Sequence, residues 1–306
     1  MRVFQGIEAI RSMRRPVVTT GSFDGVHIGH KAILRRLKTL AADSGGESLL
    51  ITFHPHPRKI LYPDTLGKEL RLIYTQREKI ACLEETGLDN LLIIPFTLGF
   101  SQMSSIDFIR KILVEKIGAR MVVIGYNHHF GHQREGSYEY LYELGRYYSF
   151  GVEEIPEQDL EHEAVSSTRI RKALTEGQVQ RANAYLDHLF LMMGRLERGP
   201  SMTVEEQVYL LRPEEEEKLV PPPGAYAGGV EYGEGERKAL VLIVPDPANP
   251  DRRLPRLVIP GEAQDLDGTA VVLRFRKRLR EGPMGPAATN AAQLGLDLRA
   301  LDDLIY

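Results

Sequence analysis

Two histidines, His27 and His30, lie three positions apart in the glycine-rich segment GSFDGVHIGH, between a short β-rich run and a helical pattern. The free N–H groups and the dipole at a helix start favour an anion. Two imidazole donors beside such a start would bind a phosphate whose charge grows during a reaction. The same spacing occurs on surface helices and in metal pairs, although zinc would need a third protein ligand. Histidines that could supply that ligand are His54, His56, His128, His129 and His132.

A second pattern, VSSTRIRKAL, combines hydroxyl side chains with arginines. Ser166, Ser167 and Thr168 lead into a predicted helix that bears Arg169 and Arg171. Hydroxyl and free N–H groups at a helix start bind phosphate oxygens, and arginine adds a charged, two-pronged donor. By itself the pattern is also typical of a capped helix with basic surface residues.

A histidine–proline loop, TFHPHPRKIL (52–61), follows the second β-rich run. Each proline fixes its own φ and restrains the residue before it, so the loop should be rigid and extended. Such a loop could line a flat aromatic ligand, or it could be a structural strand exit. Its candidate binding residues are Phe53, His54, Pro55, His56 and Pro57.

A glycine-bounded loop, IGYNHHFGHQREG (124–136), follows the fourth β-rich run. Asn127 could form a hydrogen bond to a ligand, Phe130 could pack against a ring, and Arg134 could bind a phosphate. The composition is also typical of a structural loop.

The elements that must position these motifs alternate between two periods. The β-rich runs lie at 17–20, 49–53, 91–94, 121–125 and 151–155, and helical patterns lie at 30–42, about 76–86, between Ser105 and Gly118, 137–148 and 168–176. Thr75 and Glu78 form a capping box for the second helix, and Ser105 is the predicted cap of the third. Five strands alternating with five helices predict an open parallel sheet with helices on both faces. Ligands of such sheets bind beyond the carboxyl ends of the strands.

The chain changes in character after about residue 185. A charged and proline-rich run, RPEEEEKLVPPPG (212–224), precedes short β-like runs, and a helical pattern returns only at the end. This order favours a small all-β domain with a C-terminal helix. We therefore expect an α/β domain over residues 1–186 and a β-domain over residues 187–306.

Composition excludes several classes of protein. Of the 306 residues, 42% are hydrophobic and 26% are charged, which is ordinary for a globular chain and excludes wholesale disorder. The net charge of −3 argues against duplex nucleic acid as a partner. The single cysteine, Cys82, excludes a disulfide framework, and no apolar run reaches the ~20 residues of a membrane span. We expect a cytoplasmic protein with neither a nucleic-acid nor a membrane partner, and the sequence leaves the oligomeric state open.

The four motifs, in this order, resemble the FAD synthetase module of the prokaryotic bifunctional riboflavin kinase/FAD synthetase family. The resemblance covers roughly residues 16–186 and includes GSFDGVHIGH, TFHPHP, IGYNHHFGHQREG and VSSTRIR. It implies a Rossmann-like α/β fold of the HIGH nucleotidyltransferase superfamily and FMN adenylyltransferase activity, in which ATP and FMN give FAD and pyrophosphate. No carboxylate cluster for a protein-held metal is evident, so Mg²⁺ is expected to arrive with ATP.

The resemblance also implies roles for individual residues. His27, His30 and Arg169 are the expected catalytic residues, acting on the ATP phosphates. The expected ATP-binding residues are Gly21, Phe23, Asp24, Gly29, Asn127, Ser166, Ser167 and Thr168. The expected flavin-binding residues are the 53–57 loop, Phe130 and Arg134. Because the FMN phosphate is already charged at pH 7, the reaction requires no general base and no covalent intermediate.

The C-terminal half resembles the family's second module, a small β-barrel that phosphorylates riboflavin. LMMGRLERG (191–199), PPPGAYAGGVEY (221–232) and DLDGTAVVLRFRKRLREG (265–282) resemble its first strand, its GVYA strand and its closing hairpin.

The residues that carry kinase chemistry in that module are missing. The interval between Gly199 and Pro221 has no Gly-x-Pro-Thr-Ala-Asn segment, and its acidic run at 214–217 would repel a triphosphate. The strand at 253–261 lacks the family's catalytic glutamate, and Glu262 follows it out of register. We expect a barrel without kinase activity.

Two other functions stay open at this point. The chain could be a full bifunctional kinase and synthetase with strongly diverged motifs, or a non-enzymatic regulator that binds a flavin or a nucleotide. Two intact phosphate signatures argue against the regulator, and the TFHPHP and GYNHHFG loops disfavour nucleotidyl transfer to another small phosphate.

Overall fold

The computed structural model describes residues 1–126, 130–131, 135–157, 159–160, 163–199, 207–246, 249–262, 264–282 and 291–303. The chain divides into two compact units. The first contains Met1–Leu70 and Lys79–Val165, and the second contains Arg71–Glu78 and Ser166–Tyr306. The division expected from the sequence, between residues 186 and 187, stays a prediction.

The first unit contains a six-stranded parallel sheet. Its strands are β1 (Arg2–Gln5), β2 (Val17–Thr20), β3 (Ser48–His54), β4 (Asn90–Pro95), β5 (Met121–Gly125) and β6 (Gly151–Ile155). Their order is β1-β4-β3-β2-β5-β6, and every neighbouring pair is parallel. The predicted parallel α/β sheet is thus confirmed, with five of its strands where the sequence places them. The edge strand β1 was not predicted, because only Phe4 of its four residues is buried and the run is short.

Helices cover this sheet. They are α1 (Ile28–Asp43), α2 (Pro57–Leu61), α3 (Gln76–Glu85), α4 (Leu98–Ser101), α5 (Ser105–Asp107) and α6 (Tyr138–Tyr148), with a 3₁₀ turn at Ile7–Ala9 and a two-stranded ribbon of β7 (Asp159–Leu160) and β8 (Glu163–Ala164). Helix α5 continues as a π-helical segment, Phe108–Ile117, which ends at Gly118 in the left-handed conformation, as predicted. The predicted cap at Ser105 was wrong by one residue. Ser104 caps α5 through its Oγ, which accepts the Asp107 N–H at 3.1 Å, whereas the Ser105 N–H binds Glu135.

The second unit is a closed β-barrel with flanking helices. It contains α7 (Ser167–Thr175), α8 (Val179–Leu186), the strands β9 (Phe190–Arg198), β10 (Val208–Pro213), β11 (Gly224–Glu231), β12 (Glu236–Asp246), β13 (Asn249–Val258) and β14 (Ala270–Glu281), and α9 (Ala291–Asp302). The barrel order is β10-β13-β12-β11-β14-β9. The predicted small β-barrel with a C-terminal helix is confirmed. The expected hairpin at 265–282 was wrong, since one long strand, β14, fills most of it and pairs with β9 and β11.

The acidic run at 214–217 forms structural contacts within the barrel unit. Leu72 forms a parallel bridge to Lys218, with its N–H bonded to the Glu217 carbonyl at 2.8 Å. The Gln76 N–H at the start of α3 binds a Glu215 carboxylate oxygen at 2.7 Å, and Arg77 forms an ion pair with Glu214. The acids therefore bind the Arg71–Glu78 segment, a use that their composition alone did not indicate.

Candidate active site

The GSFDGVHIGH turn leaves the carboxyl end of β2 and enters α1. Strand β2 lies between β3 and β5 in the sheet. The strands that follow β2 in sequence are added first on one side of it, as β3 and β4, and then on the other side, as β5 and β6. The turn after β2 therefore lies at the switch point of the strand order, where such sheets bind ligands. Three residues of the turn have left-handed backbone, with φ of 49° at Phe23, 95° at Gly25 and 44° at Val26. Glycine adopts this conformation readily, but a β-branched valine does so only at a cost of about 1–3 kcal/mol, and such strain clusters at functional sites.

His27 is the N-cap of α1 and is almost fully buried. Its Nδ1 accepts a long hydrogen bond of 3.4 Å from the His30 backbone N–H. Because Nδ1 is the acceptor, a neutral His27 ring carries its proton on Nε2. The cap thus fixes the tautomer and gives the ring a donor nitrogen.

His30 lies in a stack of three rings. Its centroid is 4.4 Å from that of Phe23 and 3.7 Å from that of His27, with interplanar angles of 24° and 20°. Its Nδ1 is buried and has no hydrogen-bond partner among the described residues. Burial, then the neighbouring His27, then the Lys79 ammonium hold the pKa of His30 well below 6.5. His30 is therefore a neutral imidazole at pH 7 with an unsatisfied ring nitrogen, as a ligand-binding group would be.

Two glycines of the motif make room for this stack. A Cβ on Gly29 would lie 3.3 Å from the His27 ring, and a Cβ on Gly21 would lie 3.0 Å from the Phe23 ring. Asp24, in the same turn, is almost fully buried. The structure thus brings together all six residues that the sequence predicted in this motif: Gly21, Phe23, Asp24, His27, Gly29 and His30.

Lys79 is a member of this site that the sequence analysis missed. It lies on α3, is only 7% exposed, and its Nζ is 3.1 Å from the Ser22 carbonyl and 3.4 Å from Thr52 Oγ1. Thr52 Oγ1 in turn donates to the same Ser22 carbonyl at 3.1 Å. A lysine in a helical pattern is ordinarily a surface residue. Only its burial beneath the turn identifies it.

The second signature lies at the start of α7, in the barrel unit. Ser166 is the N-cap, and its Oγ accepts the Arg169 backbone N–H at 3.4 Å. Ser166 and Ser167 are half-buried, whereas the side chains of Thr168 and Arg169 are exposed at the first turn. Arg171 instead binds the Arg71 carbonyl at 3.1 Å, so that arginine has a structural contact. The predicted capped helix start is confirmed.

The predicted flavin-binding residues fall into two groups in the first unit. His54 and Pro55 are exposed and joined by a cis peptide bond, and His56 caps α2, with its Nδ1 accepting the Arg58 N–H at 3.2 Å and Pro57 as the first helical residue. Phe53 and Phe130 instead pack against the core. A run of rings connects them, with centroid distances of 5.8 Å (Phe53–Phe100), 6.4 Å (Phe100–Phe108) and 6.2 Å (Phe108–Phe130).

Two predicted site residues, Asn127 and Arg134, lie outside the described residues. So do three of the candidate zinc ligands, His128, His129 and His132. In the part of the chain that the structure describes, no group of three His, Cys, Asp or Glu side chains could hold a metal ion. Across the same residues, no helix has the length and apolarity to cross a membrane.

Comparison with known protein families shows to which family the chain belongs. A model described as FAD synthetase matches residues 9–169, which is more than half of the chain. The chain belongs to the FAD synthetase family. The match contains three of the four motifs completely and ends within the fourth, at Arg169, so the resemblance seen in the sequence is confirmed.

Relatives of this FAD synthetase family member carry the name bifunctional riboflavin kinase/FMN adenylyltransferase. One from Pseudomonas fluorescens is 29% identical over 92% of this chain and 90% of its own length. One from Buchnera aphidicola subsp. Acyrthosiphon pisum is 32% identical over 65% of this chain, and one from Listeria monocytogenes is 30% identical over 69%. These last two alignments span less than two thirds of the relatives' own lengths, 63% and 66%.

A solved structure shares the fold of this FAD synthetase family member. The crystal structure described as a macrolide-efflux protein from Streptococcus pneumoniae has a TM-score of 0.86 to it, covering 99% of this chain and 98% of that one. The sequence identity is 22%, so the likeness concerns the fold alone.

Proposed function

We propose that this chain is an FMN adenylyltransferase that transfers AMP from ATP to FMN, giving FAD and pyrophosphate. The observation that carries the proposal is the stacked pair of His27 and His30 at the start of α1, at the switch point of a sheet whose sequence matches the FAD synthetase model. The names of the relatives point to the same reaction.

In this reaction an oxygen of the FMN phosphate forms a bond to the α-phosphorus of ATP. The bond from that phosphorus to the oxygen bridging to the β-phosphate breaks, and pyrophosphate leaves with the electron pair. The nucleophile is already an anion, so the protein need not remove a proton from it. Its tasks are to align the two phosphates and to balance charge on the α-phosphate and the leaving group.

The first signature suits the α-phosphate end of ATP. The start of α1 presents backbone N–H groups, the fixed tautomer of His27 supplies an Nε2 donor, and His30 has an unsatisfied ring nitrogen. A phosphate beside His30 would raise the pKa of a ring that is neutral without it, so the hydrogen bond strengthens as charge develops.

The second signature suits the leaving group. Ser166, Ser167 and Thr168 form the polar start of α7, and the exposed Arg169 guanidinium is suited to the β- and γ-phosphates. Mg²⁺ enters as part of the substrate, held by the nucleotide's own phosphate oxygens and by water. We assign the flavin to the 53–57 loop and Phe130, with Asn127 and Arg134 as further contacts to nucleotide and flavin.

A cytoplasmic location is part of the proposal. ATP, one of the two substrates, is a cytoplasmic metabolite, and a chain whose single cysteine, Cys82, is buried fits a reducing compartment. The proposal includes neither a nucleic-acid nor a membrane partner.

A product assay tests the function directly. Purified chain is supplied with MgATP and FMN, and FAD and pyrophosphate are measured by chromatography and by a coupled phosphate assay. We expect equal amounts of the two products. A folded preparation that binds FMN or ATP without forming FAD would contradict the proposal and favour a binding regulator.

A further inference from the structure

Lys79 is placed to hold the GSFDGVHIGH turn, which we assign to the phosphates of ATP. The turn begins where β2 ends, and its second residue, Ser22, presents its carbonyl to the Lys79 ammonium at 3.1 Å. Thr52, near the end of the neighbouring strand β3, bonds to the same carbonyl and lies 3.4 Å from the ammonium. One side chain from α3 thus joins the ends of two strands at the edge of the sheet where the turn starts.

The turn needs such an anchor because its backbone is strained. Phe23, directly after Ser22, and Val26 both have left-handed φ values that non-glycine residues rarely adopt. Strained backbone persists only where the surrounding structure holds it. The ring of Phe23 is one face of the stack that encloses His30, so the anchor at Ser22 also fixes the orientation of the imidazole.

Lys79 also acts on His30 through its charge. Of the groups that alter the protonation of His30, burial comes first, His27 second and Lys79 third, and all three lower its pKa. A fixed ammonium beside the ring disfavours a second positive charge there. His30 consequently stays a neutral hydrogen-bonding group until a polyphosphate supplies negative charge.

We infer that Lys79 is a positioning residue of the nucleotidyl-transfer site, which fixes the strained turn at the Ser22 carbonyl and thereby the ring of His30. The inference rests on the proposed function for its effect on FAD synthesis. Lys79 need not touch either substrate to have this effect, because a displacement of about 1 Å at a reacting centre costs roughly a hundredfold in rate.

The test compares Lys79→Met with a matched variant, Lys38→Met. Lys38 is a half-buried lysine of the first unit, and its Nζ binds the Thr86 carbonyl at 2.6 Å, away from the turn. Two measurements are made on each variant: the kinetics of FAD formation, which give kcat and KM, and a nuclear magnetic resonance titration, which gives the pKa of His30. We expect Lys79→Met to lower kcat by roughly ten- to a hundredfold and to raise the pKa of His30, and Lys38→Met to change neither. Lys79→Arg, which keeps the charge, should restore the pKa of His30 more fully than kcat.

The comparison of these variants with the wild type decides the inference. Equal kcat and an equal His30 titration in Lys79→Met and the wild type would overturn it, as would identical effects of the two methionine variants. Should Lys79→Met fail to fold, Lys79→Arg and Thr52→Val decide the matter by the same two measurements. A wild-type chain that forms no FAD would contradict the proposed function instead, and the His30 titration would still decide whether Lys79 acts on that ring.

Discussion

Glu78 and Lys218 form an ion pair in which both side chains are fully buried. Lys218 Nζ lies 2.6 Å from Glu78 Oε2 and also binds the carbonyls of Ile73 and Leu191 at 2.7 and 2.6 Å. Glu78 accepts the Met193 N–H at 2.7 Å and the Thr75 N–H at 2.9 Å. Every charge here has hydrogen-bonding partners, which is the condition under which a buried pair is tolerated. The pair thus connects the Arg71–Glu78 segment, which contains Glu78, to β9 and to Lys218, which directly follows the acidic run at 214–217.

Lys218→Met should destabilise the barrel unit by about 3–5 kcal/mol, because it leaves a buried glutamate without its counter-charge. The free energy of opening is measured by hydrogen exchange at amides of β9 and β11. Lys172→Met is the control, since Lys172 and Glu176 form an exposed pair at 3.9 Å in the same unit. That variant should change the opening free energy by less than about 0.5 kcal/mol. Equal effects of the two substitutions would show that the buried pair has no special role in stability.

His30→Ala should lower kcat for FAD formation by about 10²–10³-fold, the cost of losing one preorganised donor. The change also removes the ring between Phe23 and His27, so a modest loss of thermal stability is expected in addition. Circular dichroism separates the two effects. A folded variant with wild-type turnover would exclude His30 from the reaction.

The stability of the first unit should fall as the pH drops below 6.5. His30 has a pKa well below 6.5 in the folded chain and near 6.5 in the unfolded chain, so between these values the unfolded state binds more protons. The contribution of the neutral ring is fully present above pH 6.5 and is lost as the pH falls toward the folded pKa. Urea unfolding at pH 7.5 and pH 5.5 measures it. His30→Asn should show a smaller loss between these two pH values, and an unchanged loss would assign it to other groups.

The sequence predicted the local features of the site well and its tertiary contacts poorly. The Thr75–Glu78 capping box is present, with Thr75 Oγ1 accepting the Glu78 N–H at 3.2 Å. That Glu78 also neutralises Lys218 depends on a contact between distant parts of the chain, which no local pattern contains. The next residue, Lys79, was missed for the same reason. His27 and His30 could be found because strand, glycine turn and helix start are all encoded within the fourteen neighbouring residues 17–30.

For the helix after Ser104, the sequence predicted the position and the buried face but not the winding. Its apolar spacing predicted a helix with the correct end at Gly118, and Phe108, Ile109, Ile112 and Leu113 are buried as expected. The π-helical winding was not predictable from the apolar spacing. Over ten residues, the wider turn of a π-helix buries the same apolar residues as an α-helix would.

Arg169→Ala should raise KM for ATP and lower kcat, because the guanidinium is assigned to oxygens that become the leaving pyrophosphate. Lys172→Ala on the same helix is the control, since Lys172 lies in the last turn of α7, where it pairs with Glu176. KM for FMN should stay at its wild-type value in both variants. A change confined to FMN would overturn the assignment of this signature to ATP.

The last prediction is that the chain does not phosphorylate riboflavin. Kinase transfer needs a cradle for the triphosphate and a group that takes the proton from a neutral hydroxyl. In the interval where the family has its nucleotide segment, Glu214 and Glu215 bind Arg77 and the Gln76 N–H instead.

Of the candidate bases Glu205, Glu206 and Glu262, only Glu262 lies within the described residues, and its carboxylate is already bound. It accepts a hydrogen bond from the Tyr232 hydroxyl and another from the Gln264 N–H at 2.8 Å. Burial first, and then this glutamate, raise the pKa of Tyr232 to about 12, so the phenol stays a donor and keeps the carboxylate engaged. Riboflavin and MgATP should therefore yield neither FMN nor FAD in a sample that converts added FMN to FAD. FMN or FAD formed from riboflavin by the wild type, and lost in Glu262→Gln, would overturn the prediction and restore the bifunctional activity named in the relatives.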